Sequence, residues 1–229
     1  MPKTIVIVGF GPGISAAVAE TFGAEGFSVA LVARSADRLA AGVADLRAKG
    51  VTAGAFTADA RDPAAIGAAI QRARAELGPI GALHWNAFDH GRVGDLLDAD
   101  PDEVSGIFDV AIFGLLAAVR EALPDLKAAG DGAVLVTNGA FGENSEAMDQ
   151  FAVGLKAMGL AVANAAKHKL VGVLSQRLKG DGVFVGEVMV AGMVRQTATG
   201  DGQGIESSAI ADAFWRLYKG RGEIRARVS

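Results

Sequence analysis

The chain has 229 residues, of which 51% are apolar, and its 22 Lys and Arg against 26 Asp and Glu give a net charge of −4. The length and the apolar content predict one domain, residues 1–229, with a large buried core. No basic block stands out, so the chain lacks the positive surface with which proteins bind a nucleic-acid backbone, and we expect no nucleic-acid partner.

The sequence contains no cysteine, which excludes disulfides, thiolate nucleophiles and iron–sulfur clusters. Its three histidines are scattered at 84, 90 and 168, so we expect no metal site. The apolar stretch at residues 4–8 is too short for the core of a signal peptide, and no uncharged apolar run is long enough to span a membrane. These features predict a cytoplasmic protein without a membrane partner.

Short aliphatic runs alternate with Ala-rich helical stretches along the chain, which is typical of βαβ units. The helices are predicted at 36–49, 63–77, 101 to about 126, about 151 to 178, and 207–219. The seven predicted strands are residues 4–8, 28–33, 52–58, 80–86, 133–137, 183–190 and 223–228. This order predicts an α/β Rossmann fold, a doubly wound, seven-stranded parallel sheet with helices on both faces.

A glycine-rich loop, Gly-Phe-Gly-Pro-Gly-Ile-Ser at residues 9–15, follows the first predicted strand. Glycine allows positive φ and a close approach of the backbone to a pyrophosphate, whose charge then lies at the N-terminus of the next helix. The spacing G-x-G-x-x-G fails because Ile14 stands at the third glycine, whereas G-x-x-x-G-x-G fits except that Ser15 replaces the last glycine. The loop therefore favours dinucleotide binding by Gly9, Gly11, Gly13, Ile14 and Ser15 over an ordinary glycine-rich turn.

The second predicted strand ends in Ala33, Arg34 and Ser35, without an acidic residue. An Asp or Glu at this place would bind the ribose hydroxyls of NAD, whereas an Arg can pair with the 2′-phosphate of NADP. We therefore expect NADP in preference to NAD. The alternative interpretation is a solvated arginine at the end of a strand.

Five further short motifs occur along the chain: Asp59-Ala60, Asn86-Ala87, Leu123-Pro124, residues 132–137 at the fifth strand, and Ala191-Gly192. Together with the glycine loop they resemble the short-chain dehydrogenase/reductase family, and the resemblance covers nearly the whole chain. It implies that Asp59 contacts adenine, with Ala60 beside it, and that Asn86 and Ala87 are the tail of the family's Asn-Asn-Ala-Gly motif. It also implies a nicotinamide dinucleotide, a small carbonyl or alcohol substrate, and a homodimer or homotetramer paired through the two long helices.

The resemblance breaks at the residues that carry the family's chemistry. Members use a Tyr as general acid/base, a Lys four residues later that lowers the pKa of the Tyr, a Ser that polarises the carbonyl, and an Asn in a proton relay. Here Ala111 stands at the position of the Asn and Gly139 at that of the Ser. The sole tyrosine, Tyr218, lies far downstream in the last predicted helix.

The position of the family's Lys is open between three residues of this sequence. A search for the Tyr-x-x-x-Lys spacing finds Lys156 and Lys167, whereas counting back from Gly182 without a gap gives Asn164. The last alignment places Leu160 at the position of the Tyr, and none of the three finds a tyrosine.

Other side chains could take over the acid/base role. His90, beside Asp89 in the loop after the fourth strand, is expected near the substrate mouth. Asn138 either donates a hydrogen bond to a carbonyl or caps the end of its strand. Lys156 and Lys167 either reach the ribose or are solvated charges. Two histidines are expected to be structural: His84 is a hydrogen-bonded core residue, and His168, between two lysines, faces solvent.

Three functions remain open. The first is an NADP(H)-dependent oxidoreductase with an atypical active site. The second is a protein that binds NADP(H) without chemistry, as a regulator or scaffold. The third is an S-adenosylmethionine-dependent methyltransferase, because such proteins share the fold class and often carry G-x-G-P-G. Ile7 and Arg34 argue against the third, since methyltransferases usually have acidic residues at both places.

Overall fold

A computed structural model describes residues 3–89, 93–195 and 204–229. Its strands form one seven-stranded sheet in the order β3-β2-β1-β4-β5-β6-β7, and every neighbouring pair is parallel. The strands are β1 Thr4–Val8, β2 Ser28–Ala33, β3 Ala53–Thr57, β4 Ile80–Trp85, β5 Ala133–Gly139, β6 Phe184–Val190 and β7 Arg225–Val228. The prediction of a doubly wound parallel sheet is confirmed, with strand ends that differ by at most two residues.

Helices cover both faces of the sheet. They are α1 Ile14–Ala24, α2 Ala36–Ala48, α3 Pro63–Leu77, α4 Pro101–Phe108, α5 Leu115–Ala128, α6 Glu146–Gly154, α7 Met158–Leu178 and α8 Ser207–Gly220. Within the described ranges, none of these helices is both long and apolar enough to cross a membrane.

The central strands are buried on both sides because successive side chains point to opposite faces of the sheet. In β1, Val6 and Val8 pack into the core that α3, α5 and α7 complete, while Ile5 and Ile7 pack into the core beneath α1, α2 and α8. Both β1 and β4 are buried over their whole length. This explains why these strands read as continuous aliphatic runs in the sequence.

The long helix predicted from 101 to about 126 is interrupted. A π-helical segment, Asp109–Gly114, separates α4 from α5. Its last residue, Gly114, lies so close to the loop after β3 that a Cβ atom would stand 2.1 Å from the carbonyl oxygen of Ala60. A π-helical turn leaves the apolar spacing of its flanks nearly unchanged, which is why the sequence predicted one continuous helix.

The second long helix, predicted from about 151 to 178, is two helices. Ser145 caps α6 by accepting a hydrogen bond from the Met148 amide, and α6 ends at Gly154. The chain then turns through Lys156, whose φ is +51°, before α7 begins at Met158. The break sets the direction of α7, which starts at the carboxyl edge of the sheet and runs back along it.

We expect Gly114→Ala to destabilise the fold by roughly 1–3 kcal/mol, because the new methyl group overlaps the backbone of Ala60. Gly67→Ala in α3 is the matched control, since no atom lies within 4 Å of a Cβ there. It should instead stabilise the protein by about 0.5–1 kcal/mol, as alanine does in a helix interior. Urea unfolding measures both, and equal effects would contradict the close approach at Gly114.

Candidate functional site

The strand order reverses direction at β1, whose neighbours β2 and β4 are followed by connections on opposite faces of the sheet. In doubly wound folds a crevice opens at such a place, outside the carboxyl ends of the strands, and ligands bind in it. The glycine-rich loop, Arg34, Asp59 and Asn86 all follow the carboxyl ends of β1 to β4. The topology therefore brings the predicted site residues of four strands to one edge.

Gly9 fits the loop after β1 tightly against the segment after β4. Its φ is +87°, and a Cβ atom would lie 2.4 Å from the amide nitrogen of Ala87. The side-chain amide of Asn86 donates a hydrogen bond to the Gly9 carbonyl at 3.1 Å. Asn86 and Ala87 thus form the wall against which the loop turns. Only glycine can adopt the positive φ at position 9 and also leave the space that a Cβ atom would fill.

Ser15 closes the glycine loop from inside. Its hydroxyl accepts a hydrogen bond from the Gly11 amide and donates one to the Gly11 carbonyl, both at 2.9 Å, and the residue is 1% exposed. Gly13, with φ +96°, precedes α1, which begins at Ile14 with neither a side-chain cap nor an acidic residue in its first turn. The first amides of α1 are therefore left for a ligand anion, which is the arrangement a pyrophosphate requires.

Two arginines flank the start of α2. Ser35 caps this helix by accepting a hydrogen bond from the Arg38 amide at 3.3 Å. Arg34 and Arg38 are exposed, and within the described part of the chain neither guanidinium has an acidic partner. Arg38 Nη1 is the atom nearest to a Cβ placed on Gly11, at 3.9 Å. Arg38 was not predicted from the sequence, although it stands four residues after Arg34.

Asp59 shapes the turn after β3. Its Oδ1 accepts a hydrogen bond from the Arg61 amide at 3.0 Å. The guanidinium of Arg61 forms an ion pair with Asp89 from the loop after β4, and this contact raises the pKa of Arg61. The pair joins the two loops at the edge of the crevice, and the sequence analysis did not foresee it because the partners are 28 residues apart.

Beside the Arg61–Asp89 pair lies a pocket of about 320 Å³. Its walls come from the loops after β3 and β4, from α4 and the π-helical segment, and from one face of α7. Ala111 lines it, at the position where the resemblance puts the family's Asn, and so do Leu160 and Asn164, which one of the three alignments puts at the positions of the Tyr and the Lys. Of the three residues open for the position of the family's Lys, Asn164 and Lys167 line the pocket, whereas Lys156 lies exposed in the turn before α7.

Asn138 is committed to the protein rather than to a ligand. Its side-chain amide donates to the Asn164 carbonyl at 3.0 Å and to Glu187 Oε1 at 2.5 Å, and the residue is 2% exposed. Gly139 follows it, and a Cβ there would stand 2.9 Å from Asn164 Nδ2. A serine at position 139 would therefore crowd the Asn164 side chain.

A buried charged cluster lies behind this wall of the pocket. Glu187 on β6 is wholly buried, and His168 Nδ1 lies 2.7 Å from its Oε2. The expectation that His168 faces solvent is wrong, because its ring is turned toward Glu187 and its side chain is only 29% exposed. Lys167 is 3% exposed and lines the pocket, so it is no solvated charge. Burial lowers the pKa of Lys167 to about 8, against an opposing effect of Glu187.

His84 and Tyr218 lie outside the pocket. His84 is a core residue, as predicted: it is fully buried, its Nε2 lies 3.0 Å from Thr137 Oγ1, and burial lowers its pKa to about 3. Tyr218 packs against Phe22 and Phe27, and its hydroxyl donates to Asp131. Burial raises the pKa of Tyr218 to about 12. His90 lies outside the described residues.

A doubly wound sheet with a glycine loop at its switch point defines a dinucleotide-binding α/β protein. The family model described as short chain dehydrogenase matches residues 3–201. The chain therefore belongs to the short-chain dehydrogenase family, and the resemblance drawn from the motifs is confirmed.

Comparisons with individual proteins agree with this family assignment. The chain is 32% identical over 227 residues to 1-deoxy-11-beta-hydroxypentalenate dehydrogenase of Streptomyces avermitilis, covering 93% of this chain and 80% of that protein. It is also 32% identical over 143 residues to oxidoreductase UcpA of Escherichia coli K12, and there the match spans 62% of this chain and only 53% of the relative. Among solved structures, a metagenomic short-chain oxidoreductase in complex with NADP superposes with a TM-score of 0.82 at 22% identity, covering 100% of this chain and 97% of the other.

The buried lysine makes stability depend on pH. Its pKa is about 8 in the folded protein and 10.5 in a free lysine, so between these values the folded state binds fewer protons and stability rises with pH. Lys167→Met should be more stable than the wild type at pH 7, by up to roughly 3 kcal/mol, and the difference should vanish above pH 10.5. Urea unfolding at pH 7 and pH 10.5 measures it.

Lys169→Met, on the exposed side of α7, is the control for this measurement and should show no such dependence. A difference between Lys167→Met and wild type that stays constant across this pH range would show that the lysine is hydrated in the folded protein.

Proposed function

We propose that this protein is an NADP(H)-dependent oxidoreductase that interconverts a small carbonyl compound and an alcohol in an atypical active site. The observation that carries the cofactor preference is the pair Arg34 and Arg38 at the carboxyl end of β2, with no carboxylate at the strand end. A carboxylate there would repel a 2′-phosphate, whereas two guanidinium groups without acidic partners attract it. The NADP complex of the metagenomic neighbour is consistent with this preference.

The residues of the crevice fit the parts of the dinucleotide. The pyrophosphate would lie on the loop formed by Gly9, Gly11 and Gly13 and on the first amides of α1, at Ile14 and Ser15, with Ser15 keeping the loop closed through Gly11. Asp59 and Ala60 follow β3, where the adenine would lie, and Asn86 and Ala87 follow β4, beside the expected ribose. Arg34, Ser35 and Arg38 would hold the 2′-phosphate. When bound, the cofactor supplies a hydride to the substrate.

The pocket beside this crevice suits an apolar substrate with one reacting oxygen. Val93, Ile107, Val110, Leu160 and Ala163 give it an apolar lining. Charged and polar side chains line the rest of it, including Arg61, Asp89, Asn164 and Lys167, and in ligand pockets such groups fix the orientation of the ligand. Its position next to the segment after β4 puts it at the edge of the sheet where the nicotinamide end of the cofactor would lie.

A second candidate function is a binding protein for NADP(H) that performs no chemistry. It is favoured by Ala111, Gly139 and Leu160, which stand where the resemblance puts an Asn, a Ser and a Tyr. Incubation of the purified protein with NADPH and a panel of ketones, aldehydes, imines and enones distinguishes the two. Substrate-dependent oxidation of NADPH supports the oxidoreductase, and tight binding without turnover of any compound supports the binding protein.

The cofactor preference can be tested by charge reversal. Arg34→Asp should weaken NADPH binding by roughly 10- to 100-fold, because it removes a charge-assisted contact and adds repulsion. NADH binding should stay the same or improve, since an acid at this place can bind the ribose hydroxyls. Fluorescence titration with both cofactors gives the two dissociation constants.

Arg216→Asp makes the same charge change on the exposed face of α8, away from the crevice, and should leave both constants unchanged. Equal loss of NADPH affinity in the two variants would point to a general charge effect and contradict the proposed site. Tighter binding of S-adenosylmethionine than of NADPH by the wild type would overturn the cofactor assignment altogether.

The protein is further proposed to form a homodimer or homotetramer through its long helices. Exposed apolar side chains on them support this, because Phe113 is 51% exposed and Val173 on α7 is 53% exposed. Such side chains are costly on a surface that stays in water. Light scattering after gel filtration should give two or four times the chain mass of 23.3 kDa, and Phe113→Glu should shift the mass toward the monomer. A monomeric wild type would contradict the proposal.

A further inference from the structure

Lys167 is a cationic residue of the pocket to which the proposed function assigns no chemistry. It is 97% buried yet lines the pocket. Within the described part of the chain, no side chain or carbonyl hydrogen-bonds to its ammonium group. The pocket's other cation, Arg61, is already paired with Asp89. Although the side chain is buried, Nζ is not among the fully buried nitrogen atoms without a partner, so it reaches the pocket space, where an oxygen atom of a ligand can accept its hydrogen bonds.

Helix α7 contributes Lys167 to the same pocket wall as two candidate positions of the family's acid/base residues. Leu160, Ala163, Asn164 and Lys167 are spaced at helical intervals and line the same pocket. Lys167 is three residues beyond Asn164, about 4.5 Å along the helix axis. Side chains of a helix lean toward its N-terminus, and that of lysine is long enough to span this distance. The side chain of Lys167 is therefore long enough to bring Nζ alongside Asn164 on the wall of the pocket.

Neighbouring residues compensate the charge of Lys167, but none of the described residues accepts a hydrogen bond from its ammonium group. Glu187 supplies the opposite charge, but Asn138 donates to its Oε1 and His168 lies 2.7 Å from its Oε2. Arg225 Nε is a third neighbour, 3.4 Å from Oε2. Glu187 thus stabilises the cation of Lys167 through space, and the two side chains form no hydrogen bond within the described residues.

We propose that Lys167 is the proton donor of this site, with its Nζ hydrogen-bonded to the reacting carbonyl oxygen in place of a phenol. This inference rests on the proposed function. In the reduction, the hydride forms a C–H bond to the carbonyl carbon, the π electron pair moves to the oxygen, and the oxygen takes a proton from Lys167 Nζ. The products are an alcohol, the oxidised cofactor and a neutral amine, which regains its proton from water.

The acidity of Lys167 suits this role. Burial lowers its pKa to about 8, so at neutral pH the group is protonated but releases its proton more readily than an exposed lysine does. General acids work best when their pKa lies near the operating pH.

The pocket also limits the class of substrate. Asp102, Glu103 and Asp109 belong to the lining together with the apolar side chains. Their charges repel an anionic ligand, whereas the apolar walls favour a hydrocarbon body. The expected substrate is an uncharged, apolar ketone or aldehyde.

The first test requires no knowledge of the natural substrate. Hexanal and cyanoborohydride at pH 8 convert an accessible neutral amine to a secondary amine, and peptide mass mapping locates it. Lys167 should be labelled faster than Lys169, which is exposed on the same helix, and saturating NADPH should change the rate at Lys167 alone. Labelling confined to exposed lysines would overturn the proposal, because a carbonyl compound would then not reach Nζ.

The second test uses Lys167→Met, Lys167→Arg and Lys169→Met with NADPH and uncharged ketones and aldehydes. Lys167→Met should lower kcat by roughly 100-fold or more, with NADPH affinity within about threefold of the wild type, since transfer of the proton is lost but the glycine loop is untouched. Lys167→Arg should be as impaired, because a guanidinium does not release its proton. Lys169→Met should match the wild type.

The outcomes separate this inference from the proposed function. If the wild type fails to bind NADPH, the proposed function fails, whatever the labelling shows. If the wild type reduces a carbonyl compound and Lys167→Met does so equally well, the function stands and Lys167 is not the donor. If no compound of the panel is reduced, the labelling experiment alone decides whether a carbonyl compound can reach Lys167 Nζ.

Discussion

The site depends on the contact between the loop after β1 and the segment after β4. At Gly9 the two backbones approach so closely that a Cβ atom would lie 2.4 Å from the Ala87 amide nitrogen, and the Asn86 side chain holds the loop through the Gly9 carbonyl. This contact fixes the direction in which the loop leaves the sheet. It thereby decides where α1 begins, and which amides at its N-terminus are left for an anion.

The sequence predicted those parts of the structure that local patterns determine. Strands buried on both faces consist of continuous aliphatic runs, so β1 and β4 were found nearly to the residue. The glycine loop was recognisable because positive φ at Gly9 and Gly13 requires glycine or makes it strongly preferred. The buried position of His84 also followed from its place inside an aliphatic strand.

The features that the sequence did not predict depend on tertiary contacts. The π-helical segment ends at Gly114 because that residue packs on Ala60, which is 54 positions earlier, and the flanking apolar pattern carries no sign of it. His168 stands between two lysines, a context typical of a surface, but Glu187 from β6 turns it inward. Lys167 stands in the same polar stretch of sequence as His168, and only the packing of α7 on the sheet shows that it is buried.

The buried Glu187 connects the α7 wall of the pocket to the charged side chains behind it. A carboxylate that is wholly buried needs positive charge and hydrogen-bond donors nearby, and Glu187 has them in Asn138, His168 and Arg225. The Asn138 amide also bonds to the Asn164 carbonyl, so the charged cluster and the α7 wall of the pocket are joined by one side chain. Removal of Glu187 would leave Lys167 as a buried cation without a counter-charge, and its ammonium form would then be harder to maintain at neutral pH. Glu187 therefore acts on the pocket through Lys167, although it does not line the pocket itself.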